Sequence, residues 1–182
     1  MTTFIALFRG INVGGHNILP MKELRDTLEE SGLKNVKTYI QSGNVVFQSK
    51  ANDSEKLARK IGLAVKKSHG LTPEIQVLGA GALQEAIAAN PYPEGEEDPK
   101  SRHLFFLKSA PINPNLEKLA SLRAATERFE LKNNIFYLHA PDGIARSKLA
   151  SKVEKELGVG VTARNWRSAQ KILSLALELE KS

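Results

Sequence analysis

The sequence predicts an α+β protein built from two ferredoxin-like subdomains in tandem, followed by a C-terminal helix. Three observations lead to this prediction. The predicted order of elements, βαββαβ, occurs twice when two extra helices, near residues 82–89 and 165–180, are set aside. The first and third strands, which are central in such a sheet, are the most apolar strands of each half. Equivalent segments also resemble each other, since residues 44–47 (NVVF) match residues 134–137 (NIFY), which indicates a tandem duplication.

The elements of the first half follow from hydrophobic periodicity. Its first strand, Thr3–Arg9, is a nearly continuous apolar run, which is typical of a strand buried on both faces. Pro20 suits the first turn of the following helix, and Gly32 and Gly70 end the two main helices. The other predicted elements of this half are a helix over 21–31, strands over 37–41 and 44–49 around the turn Ser42-Gly43, a helix from Asp53 or Ser54 to Ser68, a strand over 74–78 and a helix over 82–89.

The segment Tyr92–Ser101 interrupts the pattern. It combines two prolines and a glycine with four acidic residues, which predicts a solvated linker. We therefore expect residues 1–92 to form the first subdomain with one extra helix. Residues 93–182 are expected to form the second subdomain with the C-terminal helix.

The second half repeats the order of the first. The predicted elements are a strand over 102–108, a helix over 115–123, strands over 127–131 and 134–139 around a tight turn, a helix over Ser147–Leu157 and a strand over 160–164. Asn165 is expected to cap the last helix. Central strands that are apolar on both faces require a cover on the face away from the two helices. The candidates for that cover are the other sheet, a partner subunit or the extra helices.

Composition excludes several classes of protein. The 182 residues contain no cysteine, so disulfides, cysteine-zinc sites and thiol nucleophiles are absent. No apolar run approaches the length of a spanning helix, and the first residues do not resemble a signal peptide, so we expect a cytoplasmic protein with no membrane partner. The four histidines are scattered, so no local metal motif exists. The net charge of +6 is divided evenly between the two halves and permits an anionic partner without requiring one.

The loop between the first strand and the first helix is the leading candidate site. Arg9 and three glycines precede the helix, and such a turn presents backbone N–H groups and the positive end of the helix dipole to an anion. The alternative is a surface turn whose glycines supply positive φ angles. The equivalent connection, Ser109–Pro114, is shorter and has no glycine, which favours a ligand-binding role. The loop is neither a Walker loop nor a dinucleotide fingerprint.

Two further segments carry candidate residues. The turn Gln41–Asn44 offers short polar groups, and antiparallel pairing of the first and third strands places it at the same end of the sheet as Arg9 and Asn12. Turn chemistry alone also accounts for these residues. In Thr162–Trp166, an arginine beside the only tryptophan is able to stack on a planar ligand, whereas the plainer interpretation makes Trp166 a core anchor. The candidate ligand-binding residues are Arg9, Asn12, Gly14, Gly15, His16, Asn17, Gln41, Ser42, Asn44 and Arg164.

Several segments resemble a bacterial family known as domain-of-unknown-function family 1697. The matching segments are residues 9–15 (RGINVGG), Met21 with Leu24-Arg25, 38–47 (TYIQSGNVVF), 90–91 (NP), 147–149 (SKL) and 162–166 (TARNW). They occur in order and span nearly the whole chain. The resemblance implies an α+β protein with two subdomains, and it implies no activity, cofactor or catalytic residue.

The function predicted from these observations is the binding of a small anionic ligand, bearing phosphate or carboxylate, at the Arg9–Asn17 loop. The residues assign no reaction, no cofactor and no oligomeric state. One alternative is an RNA-binding module, because βαββαβ units also build RNA-recognition domains, although the aromatic signature of those domains is missing here. A protein-interaction domain is the other alternative.

Overall fold

A computed structural model describes residues 1–93 and 98–181 of the chain. Its elements, in order, are β1 (Thr2–Arg9), α1 (Met21–Glu30), β2 (Lys34–Tyr39), β3 (Asn44–Ser49), α2 (Ser54–His69), β4 (Glu74–Gly79), α3 (Ala80–Ala88), β5 (Arg102–Leu107), α4 (Leu116–Leu122), β6 (Arg128–Lys132), β7 (Ile135–His139), α5 (Val153–Leu157), β8 (Val161–Asn165) and α6 (Trp166–Glu180).

The chain divides into two compact units, Met1–Glu85 with Lys171–Ser182, and Ala86–Gln170. Each unit contains one four-stranded antiparallel sheet, with strand order β2-β3-β1-β4 in the first and β6-β7-β5-β8 in the second. This is the ferredoxin-like order, so the predicted α+β fold is confirmed. The tandem duplication and the boundary between residues 92 and 93 stay predictions. Residues 94–97 of the predicted linker lie outside the described residues.

Local capping chemistry sets the helix ends where the sequence predicts them. Asp53 Oδ1 accepts a hydrogen bond from Lys56 N–H at 3.0 Å, and Asn165 Oδ1 accepts one from Ser168 N–H at 2.8 Å. Gly70, at φ 67°, closes α2 in the left-handed conformation. These caps satisfy backbone groups that a helix end otherwise leaves without a partner.

The helix predicted over Ser147–Leu157 is wrong in its first half. Ser147 Oγ accepts the N–H of Ala150 at 2.9 Å, and Lys152 N–H bonds to Leu149 O at 2.9 Å, three residues back. These contacts hold residues 150–152 in a 3-10 turn, and the α-helix begins only at Val153.

The central strand of the first unit is buried on both faces, as its sequence predicts. Phe4, Ala6 and Phe8 join a core formed with α1 and α2. Ile5 and Leu7, on the opposite face, are buried as well. Burial of such side chains stabilises the fold by roughly 1.5–3 kcal/mol each.

The extra helices contribute to the cover of the second faces. Gln48 follows core residue Phe47 in β3 and therefore lies on the face away from the core, where its Nε2 donates to Leu179 O of α6 at 3.0 Å. In the second unit Tyr137 stands on the corresponding face of β7, and its hydroxyl donates to Ala86 O of α3 at 2.8 Å. Of the three covers considered from the sequence, these bonds favour the helices.

Candidate functional site

Residues 10–19, which we call the arm, connect the end of β1 to α1. Asn12 N–H donates to Asn17 O at 3.1 Å, and His16 N–H donates to Val13 O at 2.9 Å. Gly14 and Gly15, with φ 57° and 78°, form the two-residue turn between these bonds. The arm is thus a miniature hairpin, because two successive positive φ angles give the turn that closes hairpins. This geometry explains the two glycines without a ligand.

The side chain of Asn12 holds the base of the arm together. Its Oδ1 accepts from Leu19 N–H at 2.7 Å, and its Nδ2 donates to Leu19 O and to Gln41 O, both at 2.9 Å. Asn17 Nδ2 donates to Gly10 O at 2.8 Å. The arm and the Gln41–Asn44 turn therefore meet at one end of the sheet, as the antiparallel pairing of Leu7 with Asn44 requires.

Replacing Asn12 by alanine is expected to destabilise the protein by about 2–4 kcal/mol, because three side-chain hydrogen bonds are lost and several backbone groups lose a partner. Asn17→Ala is the matched control, since Asn17 also has a positive φ but makes one such bond. Urea unfolding of both variants gives the comparison. Equal losses for the two variants would contradict the role assigned to Asn12.

The Gln41–Asn44 turn is built for packing. Asn44 is fully buried, and its Nδ2 donates to Tyr39 O and to Ser42 Oγ, both at 3.0 Å. Gly43 O accepts from Phe8 N–H at 2.8 Å, and a Cβ at Gly43 would stand 2.5 Å from Phe8 Cβ. Asn44 and Gly43 therefore serve the turn, which agrees with the turn-chemistry alternative. Of the polar groups in the turn, the side chain of Gln41 is the one exposed to solvent and without a role in these bonds.

Arg9 lies at the end of β1, beside the base of the arm. Its Nη1 is 3.7 Å from Glu74 Oε2 on the adjacent strand β4, where the two residues are register partners. Two fifths of the Arg9 side chain is exposed, so this pair is solvated and not buried. Strand alternation places Arg9 on the same face as Leu7, away from the core with α1. His16, at the outer part of the arm, is exposed.

Arg164 lies in the second unit and is partly buried. Burial lowers the pKa of its guanidinium to about 10, so it remains a cation at neutral pH, and its Nη1 donates to Ala163 O at 2.8 Å. Trp166 is buried, and the Arg102 guanidinium lies 4.1 Å from the centre of its ring. The burial of Trp166 agrees with the core-anchor interpretation, and the guanidinium of Arg102 stacks on its ring.

Exposed apolar side chains lie beside these polar residues and were not predicted from the sequence. Val13 and Ile18 of the arm and Ile40 of the adjacent turn are all exposed. Ile40 also has a φ of 49°, which is unusual for a β-branched residue. One feature of the sequence indicates these exposed side chains. Large apolar residues occur inside a segment that is otherwise rich in glycine and asparagine.

The described residues bear on three kinds of partner, which are RNA, a metal ion and a membrane. The central strand β1 of the first unit is buried on both faces, so it offers no open platform for stacking RNA bases. No group of three or more histidines, aspartates or glutamates is arranged for a metal ion within residues 1–93 and 98–181. Over the same ranges, none of the helices has both the length and the apolar composition needed to cross a bilayer.

Comparison with known proteins gives a family and a fold. The family described as Protein of unknown function (DUF1697) matches residues 1–137. The chain is similar in structure to the conserved bacterial protein SP0830 from Streptococcus pneumoniae, with a TM-score of 0.75 and 25% sequence identity over 96% of this chain and 98% of that one. Among curated proteins, no relative matches significantly. Since the family matches most of its length, the chain belongs to the DUF1697 family, whose function is unknown.

Proposed function

We propose that the protein binds a small anionic ligand, bearing a phosphate or a carboxylate, at the base of the arm, with Arg9 as the main charge. One observation carries this proposal. The two residues after Arg9, Gly10 and Ile11, have backbone N–H groups that make no hydrogen bond within the described part of the chain. Two successive N–H donors beside a guanidinium form a set that an anion matches.

The backbone at this point supports the same conclusion. Gly10 and Asn12 have φ angles of 77° and 54°, whereas Ile11 between them is not in the positive region. A change in the sign of φ between successive residues is one feature of the backbone concavities, called nests, whose N–H groups bind anions. The hydrogen bonds of Asn12 and Asn17 hold this backbone in place before any ligand arrives. A preorganised site loses little entropy on binding.

Glu74 sets the charge balance of the site. Its carboxylate is the partner of Arg9 in the free protein and therefore competes with an incoming anion. Because both side chains are partly exposed, the pair contributes little stability and is easily exchanged for a ligand. Arg9, the two N–H groups and the neutral side chain of Gln41 are the groups that the proposal assigns to the anion.

The test is titration of the protein with inorganic phosphate, a nucleoside monophosphate and citrate, followed by calorimetry. Arg9→Ala is expected to weaken binding about 10- to 150-fold, since a charge-assisted hydrogen bond contributes about 1.5–3 kcal/mol. Arg25→Ala is the matched control, because Arg25 also pairs with an acid and its side chain is 43% exposed against 40% for Arg9. Glu74→Gln is expected to strengthen binding by removing the competing carboxylate.

Two results would contradict the proposal. One is the absence of binding by all three anions. The other is an equal affinity of the unmodified protein and Arg9→Ala for the anion that binds. Thermal unfolding of each variant shows whether a lost affinity reflects a lost fold.

Protein interaction is a second candidate function. The observation that favours it is the exposure of Val13, Ile18 and Ile40 on the arm and on the turn bonded to it. Exposed apolar side chains on a rigid backbone are characteristic of contact surfaces. Sedimentation velocity over a range of concentrations shows whether the protein itself is the partner.

A further inference from the structure

A second group of cations lies in the second unit, far along the sequence from the arm. The end of α4 and the segment after β7 enclose a cleft of about 430 Å³, lined by residues 121–124 and 146–148. Three of its lining residues, Arg123, Arg146 and Lys148, are cations, and none is an acid. The volume lies within the range of about 300–1,000 Å³ that is typical of small-molecule sites.

These cations are available to a ligand. Arg123, Arg146 and Lys148 are exposed, and none of them forms an ion pair with another described residue. Glu127, an acid that follows α4, is buried, and its Oε2 accepts a hydrogen bond from Ala124 N–H at 2.9 Å. This hydrogen bond leaves the charge of the carboxylate in place, so Glu127 offsets part of the positive charge of the cleft. Three exposed cations and one buried carboxylate leave a net positive charge around this concave surface, and that charge attracts anions.

Two serine hydroxyl groups line the cleft, and one of them already donates a hydrogen bond within the protein. Ser121 Oγ donates to Lys118 O at 2.7 Å, so its proton is in use. Ser147 is buried, and its Oγ accepts from Ala150 N–H at 2.9 Å. Its own O–H has no acceptor among the described residues. Ser147 therefore has a proton to donate, and it stands in the chain between two cations of the cleft lining.

The donor set identifies the chemistry of the ligand. Two guanidiniums, one ammonium and one hydroxyl are all donors, so the ligand must supply several acceptor oxygens. A single carboxylate offers two oxygens and one charge, whereas a phosphate monoester carries about −1.5 to −2 at neutral pH. These four donor groups are one more than the three terminal oxygens that a single phosphate monoester presents. We propose that this cleft binds a small molecule that carries a diphosphate or two adjacent phosphate groups.

The cations also have a structural interpretation, and the test must distinguish a structural role from a binding role. Arg123 occupies the C-cap position of α4, where a positive charge stabilises a helix through the helix dipole. That role accounts for one of the three cations. It does not account for Arg146 and Lys148, which flank a buried serine on a different segment. A structural role changes the melting temperature, whereas a binding role changes the affinity for the ligand.

The experiment is calorimetric titration of the full chain with inorganic pyrophosphate in metal-free buffer at about 0.15 M salt, where long-range attraction is screened. Arg123→Ala, Arg146→Ala and Lys148→Ala are each expected to weaken binding by about ten-fold or more, because each removes a charge-assisted contact. Arg146→Lys should restore part of the loss and Ser147→Ala should weaken binding. Lys155→Ala, which removes an exposed cation of α5 outside the cleft, is the control and should leave the affinity unchanged.

The outcomes separate this site from the arm. Weaker binding in the cleft variants with unchanged binding in Arg9→Ala supports the cleft and leaves the proposed function of the arm to its own test. Weaker binding in Arg9→Ala alone places pyrophosphate at the arm and overturns the cleft. Absence of pyrophosphate binding also overturns it, and RNA binding that depends on the same three cations would assign the cleft to a polynucleotide backbone instead.

Discussion

Replacing Gly43 by alanine is expected to destabilise the protein by about 2–5 kcal/mol, which combines about 1–2 for a left-handed residue with a Cβ and about 1–3 for overpacking. Gly43 has a φ of 76°, and an added Cβ would stand 2.5 Å from Phe8 Cβ and 2.7 Å from Ile11 Cδ1. Both neighbours are buried core residues and have no room to move. Urea unfolding followed by far-UV circular dichroism measures the loss.

Gly10→Ala is the control for this prediction. Gly10 has nearly the same φ, 77°, but nothing lies within 4 Å of its added Cβ. This variant is therefore expected to lose only the conformational part, about 1–2 kcal/mol. If the two variants lose the same stability, the close approach of the turn to Phe8 is not what requires glycine at position 43.

The buried histidine His103 is expected to make the protein sensitive to acid. Burial lowers the pKa of His103 to about 4, against 6.5 for the unfolded chain. Between these values the unfolded state binds a proton that the folded state excludes, so stability falls as the pH decreases from 6.5 to 4. The total loss is about 3 kcal/mol, at about 1.4 kcal/mol per pH unit.

The variant His103→Gln shows how much of the acid sensitivity is due to His103. Acidic groups also titrate in this range, so the unmodified protein is compared with His103→Gln. The measurement is the difference between their free energies of unfolding at each pH from 7 to 4. As the pH falls, the free energy of unfolding of the unmodified protein should decrease relative to that of His103→Gln. The same substitution at the exposed His16 is the matched control. Parallel curves for the unmodified protein and His103→Gln would show that His103 does not resist protonation.

The sequence predicts much of the fold because its signals are local. The apolar runs of β1 and β3, and the caps Asp53 and Asn165, depend on residues close together along the chain. The strand order follows from two such βαββαβ patterns and the handedness rules that govern them. The helix over Ser147–Leu157 was less predictable, because Leu149, Val153 and Leu157 recur at helical spacing whether or not Ser147 bonds to Ala150.

The candidate site was harder to predict because its chemistry depends on contacts distant in sequence. Asn12 looked like a ligand donor, and its role in joining the arm to Gln41 becomes visible only when the turn of a different hairpin is placed beside it. The basic cleft joins Arg123 to residues 146–148. In the sequence these cations look like any others on a solvated surface.

The burial of Trp166 provides a spectroscopic reporter for one unit of the protein. It is the only tryptophan, it lies in the unit formed by residues 86–170, and its ring is packed against Arg102. Its emission therefore follows the environment of that unit alone, whereas the far-ultraviolet signal of the backbone follows the helices of both. Fluorescence is the suitable probe for His103 variants, and circular dichroism is the suitable probe for Gly43 variants. Where the two signals change at the same urea concentration, the units unfold in a single cooperative transition.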